Sequence, residues 1–361
     1  MKHDSPQISV CATCYNHEKY IPFFMEKLLE QDFQDWELIV TDDCSTDGSY
    51  DLLKTYCHDP RVHVYKNDRN RHVCQTANHS FAKARGKYVC IISTDDAIVE
   101  GKLAHDVAYL DAHPEVAALY NNLIPIREDN TFISDPKQRW AHCKLDRWQI
   151  LNHLFTKGNC MMIPGLVVRR ESMQAIGLMN PLLCLTQDYE YHMRLLLHGE
   201  MAISDRPLTY YRRRDDEMNL SAGTEKNENN GDNEIALLLE EEVRRINGLE
   251  QFRRIFPEFN KYSELRDEDI VFYTGLLLVE SPRRPIRAAG LKMLYDFVLR
   301  NVERLEQQYD FLAKDLMAIT RKVYAYNEIL PDRAALKKPL DKLIYKIWHS
   351  MRRKLKRRGI I

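Results

Sequence analysis

Two short acidic runs stand out because each follows an apolar stretch that reads as a β-strand. Glu37–Thr41 leads into Asp42-Asp43-Cys44-Ser45-Thr46-Asp47-Gly48, and Tyr88–Ser93 leads into Thr94-Asp95-Asp96. Carboxylates held side by side repel unless a cation, a donor group or solvent answers them. Hard oxygen ligands of this kind suit Mg²⁺ or Mn²⁺, ions that keep waters and bridge the phosphates of a substrate. The competing explanation is turn chemistry, since Asp, Ser and Gly favour caps and tight turns. That explanation suffices for Asp47-Gly48, which precedes a helical pattern. For Asp43, and for Asp95 with Asp96, the placement at strand ends points to ligand binding. Cys11 and Cys14 form a C-x-x-C. However, Cys11 lies inside the apolar run Ile8–Ala12, and no second Cys/His pair follows at zinc spacing, so these read as packing thiols.

The elements that must position these groups alternate regularly over the first third of the chain. Ile8–Ala12, Glu37–Thr41, Arg61–Tyr65, Tyr88–Ser93 and Val116–Tyr120 read as strands, and Lys19–Gln31, Ser49–Tyr56, Val73–Ala84 and Lys102–His113 carry apolar residues at helical spacing. Such alternation implies right-handed βαβ crossovers and a mostly parallel sheet. Ligands bind beyond the carboxyl ends of the strands of these sheets, which is where both acidic runs fall. Residues 122 to 213 are less regular, with a helix at Arg147–Phe155, an apolar segment Ile163–Val168, a helix beginning near Asp188 and a strand at Leu208–Arg212. Arg214–Glu234 is polar and Asn-rich and reads as a flexible loop or linker. Beyond Ile235 the pattern is helical, through Leu237–Ile246, Asp269–Val279, Ile286–Leu299, Val302–Tyr326 and Ala335–Arg358.

The chain has 361 residues, 44% hydrophobic and 29% charged, with 52 Lys and Arg against 53 Asp and Glu. At about 150 residues per domain, that length predicts two units, or one large domain with an appendage. A net charge of -1 argues against a dedicated nucleic-acid binder, so no nucleic acid is expected as a partner. No apolar run approaches the roughly 20 residues needed to span a bilayer, and the N-terminus lacks the apolar stretch of a secretory signal. Nine cysteines at irregular spacing between Cys11 and Cys184 fit a reducing cytoplasm better than a disulfide framework.

Three motifs in order resemble glycosyltransferase family 2 of the GT-A fold. Ile8–Ile21, containing Cys11-Ala12-Thr13-Cys14-Tyr15-Asn16-His17-Glu18, is similar to that family's opening strand and loop. Glu37–Ser49 looks like its second-strand signature, and Ala84–Val89 followed by Ser93-Thr94-Asp95-Asp96 resembles the strand leading into its D-x-D-type metal site. The resemblance covers roughly residues 7 to 213 and implies an α/β GT-A architecture, Rossmann-like, with a mostly parallel central sheet. It implies a catalytic domain at 1–213, split into a nucleotide-sugar half at about 1–121 and an acceptor half at about 122–213. A linker at 214–234 and an appended α-helical region at 235–361 follow.

By the same resemblance, Thr13 and Tyr15 match the loop that packs on the nucleotide base, and Asp43 the carboxylate that bonds the base ring. Asp95 matches the acidic residue near the ribose. Asp96 matches the ligand of the Mn²⁺ or Mg²⁺ that joins the diphosphate. Thr94 stands where D-x-D has its first Asp, which leaves one protein carboxylate as the direct ligand. In Leu185-Thr186-Gln187-Asp188-Tyr189-Glu190, Asp188 resembles the family's catalytic base, with Gln187 replacing the usual Glu and Glu190 as the runner-up. Thr186 is placed to cap that helix, whose dipole favours an ionised carboxylate. Arg212, in Tyr210-Tyr211-Arg212-Arg213-Arg214, is the candidate diphosphate contact, weighed against a solvated charge run. His153 and His192 receive no role.

The implied activity is a metal-dependent, inverting transfer of a hexosyl or N-acetylhexosaminyl group. The donor would be a nucleoside-diphosphate sugar, a UDP-sugar by preference, and the acceptor a glycan or lipid-linked hydroxyl in surface polysaccharide synthesis. A sugar nucleotidyltransferase on a related fold is the second reading, but its Gly-rich basic loop is missing from Thr13–Lys19. A non-catalytic glycan- or nucleotide-binding scaffold is the third, opposed by Asp43, Asp95, Asp96 and Asp188. Lys337–Arg358 holds ten Lys and Arg against one Asp, with Leu340, Leu343, Ile344, Ile347, Trp348 and Met351 on one helical face. A basic amphipathic helix with a Trp suits an anionic membrane surface. The expected location is cytoplasmic and peripheral on the inner face of the plasma membrane.

Overall fold

A computed structural model describes residues 5–133, 145–214 and 225–321. The chain divides into two compact units, Met1–Arg147 with Cys160–Asn227, and Trp148–Asn159 with Glu228–Ile361. The sequence boundary between 213 and 235 therefore needs one correction. A helix from the acceptor half belongs to the helical unit, because its apolar face is buried there.

The first unit is built on β1 (Ile8–Cys14), β2 (Trp36–Asp42), β3 (Val62–Lys66), β4 (Tyr88–Ser93), β5 (Ala97–Ile98), β6 (Val116–Ile126), β7 (Leu166–Arg169) and β8 (Glu200–Arg212). Their order across the sheet is β3-β2-β1-β4-β7-β6-β8-β5. β3, β2, β1 and β4 run parallel, β7 lies antiparallel to both β4 and β6, β8 is parallel to β6, and β5 is antiparallel to β8. β1 and β2 are buried along almost their whole length, as strands covered on both faces must be, which is why Val10–Ala12 and Leu38–Val40 read as unbroken apolar runs. Gly86, just before β4, is required by close approach: a Cβ there would sit 2.5 Å from the Ser9 backbone nitrogen.

Crossovers α1 (Ile21–Leu29), α2 (Ser49–Thr55), α3 (His72–Phe81) and α4 (Lys102–Ala112) cover this sheet. α1 starts with Pro22 in its first turn, where a missing N–H costs nothing, and buries Ile21, Phe24, Met25 and Leu28 at steps of three and four. The one charged group deep in β2, Glu37, is answered by Ser9 Oγ at 2.6 Å and by the Arg85 guanidinium at 2.6 and 2.9 Å. Two further helices belong to the unit, α6 (Arg170–Ile176) and α7 (Gln187–His198).

The helical unit contains α5 (Arg147–Lys157), α8 (Glu225–Arg244), α9 (Gly248–Ile255), α10 (Ile270–Leu278), α11 (Arg284–Tyr309) and α12 (Ala313–Thr320). Phe252 stands at its centre, with ring centroids of Phe256 and Phe259 at 5.1 and 5.0 Å. Asn301 takes non-helical angles (φ -133°, ψ 22°) and kinks α11 between the two helices expected at Ile286–Leu299 and from Val302. The linker expected at 214–234 is corrected: its second half is helical from Glu225. Ile235, Leu238, Leu239 and Val243 anchor α8 by burial, and once nucleated a helix extends through polar residues at little further cost. Among the described residues no helix is long and apolar enough to cross a membrane. Lys337–Arg358 lies outside the described residues.

Candidate active site

Register brings the two acidic runs together. Thr13 of β1 pairs with Thr41 of β2 on one side and Ser93 of β4 on the other, so the chain leaves all three strands at one level. Tyr15, Asp43 and Asp95 thus emerge side by side along one rim, although some 80 residues separate the first from the last.

The loop after β1 is stitched to the loop after β2. Asn16 takes a left-handed φ of 54°, donates its N–H to Ser45 Oγ (2.9 Å) and accepts from the Thr46 N–H (2.9 Å). His17 N–H donates to Ser49 Oγ (2.8 Å) and Glu18 N–H to Asp47 Oδ2 (3.1 Å). Gly48 N–H donates back to Glu18 Oε2 at 2.8 Å, and a Cβ on Gly48 would fall 2.5 Å from that carboxylate. Asp47 also accepts from the Ser49 N–H at 3.0 Å, which is turn chemistry at the start of α2.

The adjacent Asp42 and Asp43 differ sharply in what they do. Asp42 is fully buried and closes its own turn, accepting from the Ser45 N–H (3.0 Å) and Oγ (2.5 Å). Asp43 takes Asn67 Nδ2 at 2.8 Å and the Arg71 N–H at 2.7 Å, both on Oδ1. Nothing in an isolated Asn or Arg of the sequence signals the parts that Asn67 and Arg71 play. They also border a cavity of about 790 Å³ walled by Lys66, Asp68, Gln75, Asn78 and Pro181 among others. Tyr15, just past the end of the interior strand β1, is a large aromatic left 39% exposed.

On the other side, Asp95 lies 3.8 Å from His17 Nε2, and His17 Nδ1 is 2.9 Å from Thr94 Oγ1. Burial holds the His17 imidazole below its ordinary value against the pull of Asp95. Asp96 is buried, and burial first, then the charge of Asp95, push its carboxyl well above the usual carboxylate range. Its Oδ1 accepts from the Arg212 N–H at 2.8 Å. Two crowded carboxylates, one of them destabilised in its ionised form, are a donor set that fits a hard divalent cation. No group of three or more His, Cys, Asp or Glu gathers for a metal among the described residues, so other ligands would come from water or a substrate's phosphates.

Arg212 corrects an expectation. In place of a side chain extended into solvent, its guanidinium donates to the Asp95 carbonyl (2.7 Å), the Arg127 and Glu128 carbonyls (2.7 and 3.1 Å) and Asn130 Oδ1 (2.7 Å). It is 1% exposed, with its guanidinium carbon 4.7 Å from the Tyr20 ring centroid. Four of the five N–H groups of the guanidinium are thus engaged by acceptors inside the fold.

Asp188 occupies the first turn of α7 and is half-buried, its Oδ1 accepting from the Tyr189 N–H at 2.7 Å. Thr186 does stand at the N-cap position, but without the expected side-chain cap bond. Beneath Asp188 the Tyr120 hydroxyl and His192 Nδ1 are 2.8 Å apart, and burial, then Tyr191 and Asp188, hold the Tyr120 phenol well above its usual value. The loop before α7 is tied to α3 by Asn78, which donates to the Met179 carbonyl (2.8 Å) and accepts from its N–H (2.9 Å). Glu190 is already committed: Arg194 grips it at 2.7 and 2.8 Å in a buried pair one turn along the helix. Cys11 and Cys14 are buried in β1, where burial raises both thiols, Cys14 to about 12; His153 Nδ1 bonds the Gly158 carbonyl at 3.1 Å.

Residues 9–174 match the family model described as Glycosyl transferase family 2. That stretch, somewhat under half of the chain, is a family 2 glycosyltransferase segment. Among curated relatives, the chain is 33% identical over 111 residues to TuaG of Bacillus subtilis (strain 168), provisionally named a teichuronic acid biosynthesis glycosyltransferase. That stretch covers 30% of this chain and 44% of the relative. It is 32% identical over 121 residues to the glycosyltransferase GlyG of Streptococcus pneumoniae serotype 4, covering 32% and 40%. The matched region thus spans less than half the length of these relatives. In three dimensions the chain is similar to S. aureus TarS 1-349 in complex with UDP-GlcNAc, with a TM-score of 0.58 at 19% identity over 98% of this chain and 92% of that one. The family 2 domain has the GT-A fold, with a helical region following it.

Proposed function

We propose that this protein is an inverting, metal-dependent glycosyltransferase that moves a sugar from a nucleoside diphosphate, preferably UDP, to a hydroxyl of a glycan or lipid-linked acceptor. The observation that carries the reading is the rim itself. Tyr15, Asp43 and Asp95–Asp96 stand just past the ends of three adjacent strands in register, at the edge where parallel sheets bind ligands. Asp43, with Oδ1 already occupied, offers Oδ2 to a ring N–H of the base, and Thr13 and Tyr15 pack on its face. Asp95 is the ribose-side acid. Asp96 would hold Mn²⁺ or Mg²⁺, which when bound neutralises charge on the departing diphosphate. The UDP preference is supported by the likeness to TarS, crystallised with UDP-GlcNAc, and a polysaccharide setting by TuaG's name.

In this reading Asp188 accepts the proton of the acceptor hydroxyl as its oxygen bonds to the anomeric carbon and the carbon–phosphate-oxygen bond breaks. Attack opposite the leaving group inverts the anomeric centre, so an α-linked donor gives a β-linked product. Glu190, held by Arg194, is a packing residue. The segment Lys337–Arg358 is the proposed contact with an anionic membrane, where a lipid-linked acceptor would reside. The test is a panel of sugar nucleotides with Mn²⁺, scored by thermal shift and nucleotide release, on wild type and D96A. Stabilisation and turnover by one donor, both lost in D96A, support the reading. Metal-independent binding identical in D96A defeats it.

A further inference from the structure

A buried arginine at a strand end invites two explanations. It is either one more packing group of the sheet edge, or the part that gives the acidic turn its shape. The contacts of Arg212 favour the second. Three separate pieces of chain meet on it: the turn after β4, through the Asp95 carbonyl; the 127–130 turn after β6, through two carbonyls and Asn130 Oδ1; and the loop before α1, through the Tyr20 ring. Its own backbone N–H adds Asp96 Oδ1 at 2.8 Å. The 127–130 turn is itself built for this meeting. Asn130 takes a left-handed φ of 67°, and the Arg127 carbonyl accepts from both the Asn130 N–H (3.1 Å) and Arg212 Nη1.

We infer that Arg212 is a positioning residue for the metal site: its fork holds the Asp95–Asp96 turn so that Asp96 gives Oδ1 to the Arg212 N–H and keeps Oδ2 for the cation. The inference rests on the reading of Asp96 given above. Planarity is the reason for an arginine. Five N–H groups in one rigid fork reach acceptors in three directions at once, which the point charge of a lysine cannot do. The fixed positive charge beneath Asp95 and Asp96 also lets two carboxylates share the turn before donor and metal arrive.

The 361-residue chain tests this by Mn²⁺ titration, free Mn²⁺ being read by electron paramagnetic resonance with UDP present, in wild type, D96N, R212K and N130A. R212K keeps the charge and loses the fork, and is expected to bind Mn²⁺ about tenfold more weakly, while UDP affinity without metal stays within about twofold. N130A removes one acceptor on an exposed turn and is expected to weaken Mn²⁺ about two- to threefold with its melting temperature unchanged. Restoration of Mn²⁺ binding is not expected from stabilising solutes, as it would be if R212K merely loosened the fold. R212K or N130A binding Mn²⁺ as wild type does, at a temperature where each is folded, overturns the assignment of Arg212 alone. Should R212K not fold, N130A decides. Wild type showing no Mn²⁺ binding, or binding unaffected in D96N, overturns the metal-site reading and Arg212's role with it.

Discussion

Replacing Asp188 by Asn isolates proton transfer from everything else this site does. The side chain keeps its shape, and an amide oxygen can still accept from the Tyr189 N–H that Oδ1 accepts at 2.7 Å. The interaction of a first-turn charge with the helix dipole, which Asn lacks, is worth about 0.3–1 kcal/mol. For a cooperative unit of about 150–250 residues, such as the one that carries α7, that is about 1–4 °C in melting temperature. The rim that would bind the donor belongs to β1, β2 and β4, whereas Asp188 belongs to α7, so donor affinity should stay within about twofold. The chemical step is another matter. A positioned base contributes about 10²–10⁴-fold, so kcat should fall by that factor, or about 2.7–5.4 kcal/mol at 1.36 kcal/mol per decade. Nucleotide release with saturating donor gives kcat, and calorimetry gives donor affinity. Full activity refutes the assignment, and a parallel loss of donor affinity shows instead that Asp188 shapes the donor site.

Asp96 carries a cost to folding in the absence of a cation, because burial and Asp95 oppose its ionisation. D96N should therefore melt higher than wild type without metal, by about 2–4 °C for each kcal/mol relieved, while losing Mn²⁺-dependent stabilisation; a lower melting temperature contradicts this. Burial pushes the Glu37 carboxyl up, but Ser9 and Arg85 win and hold it below its ordinary value. A depressed carboxylate contributes stability above its unfolded value, near 4.3, and loses it as pH falls through the folded one. E37Q should accordingly flatten the fall in stability below about pH 4.3, seen in urea melts; an unchanged slope assigns that fall elsewhere. Removing the chain beyond Pro331 should reduce co-sedimentation with anionic vesicles by about 1 kcal/mol per basic group in contact, and unchanged binding removes the membrane assignment.

Much of the site was legible because its elements obey local rules. Continuous apolar runs at Ile8–Ala12 and Tyr88–Ser93 announce strands buried on both faces, and acidic residues at their ends break the pattern where ligands bind. Long-range partners were not legible. That Asp42 closes a turn while Asp43 is shared with Asn67 and Arg71 depends on which carboxylate the register turns inward. Glu190 reads as a spare base until Arg194 is seen four residues on, buried with it. The polar stretch from Glu225 lacks the large apolar residues that signal order, yet burial of Ile235, Leu238 and Leu239 carries the helix back through it.

What the sequence by itself determined is the alternation of strand and helix, the carboxylates at the strand ends and the family they announce, since these follow from neighbours a few residues apart. Only the tertiary structure decided which of those groups are spent. Arg212 looks free to reach a ligand when read along the chain. In the fold it closes on Asp95, Arg127, Glu128 and Asn130, because a buried guanidinium must satisfy its donors inside the protein, and its acceptors come from segments that only folding brings within reach.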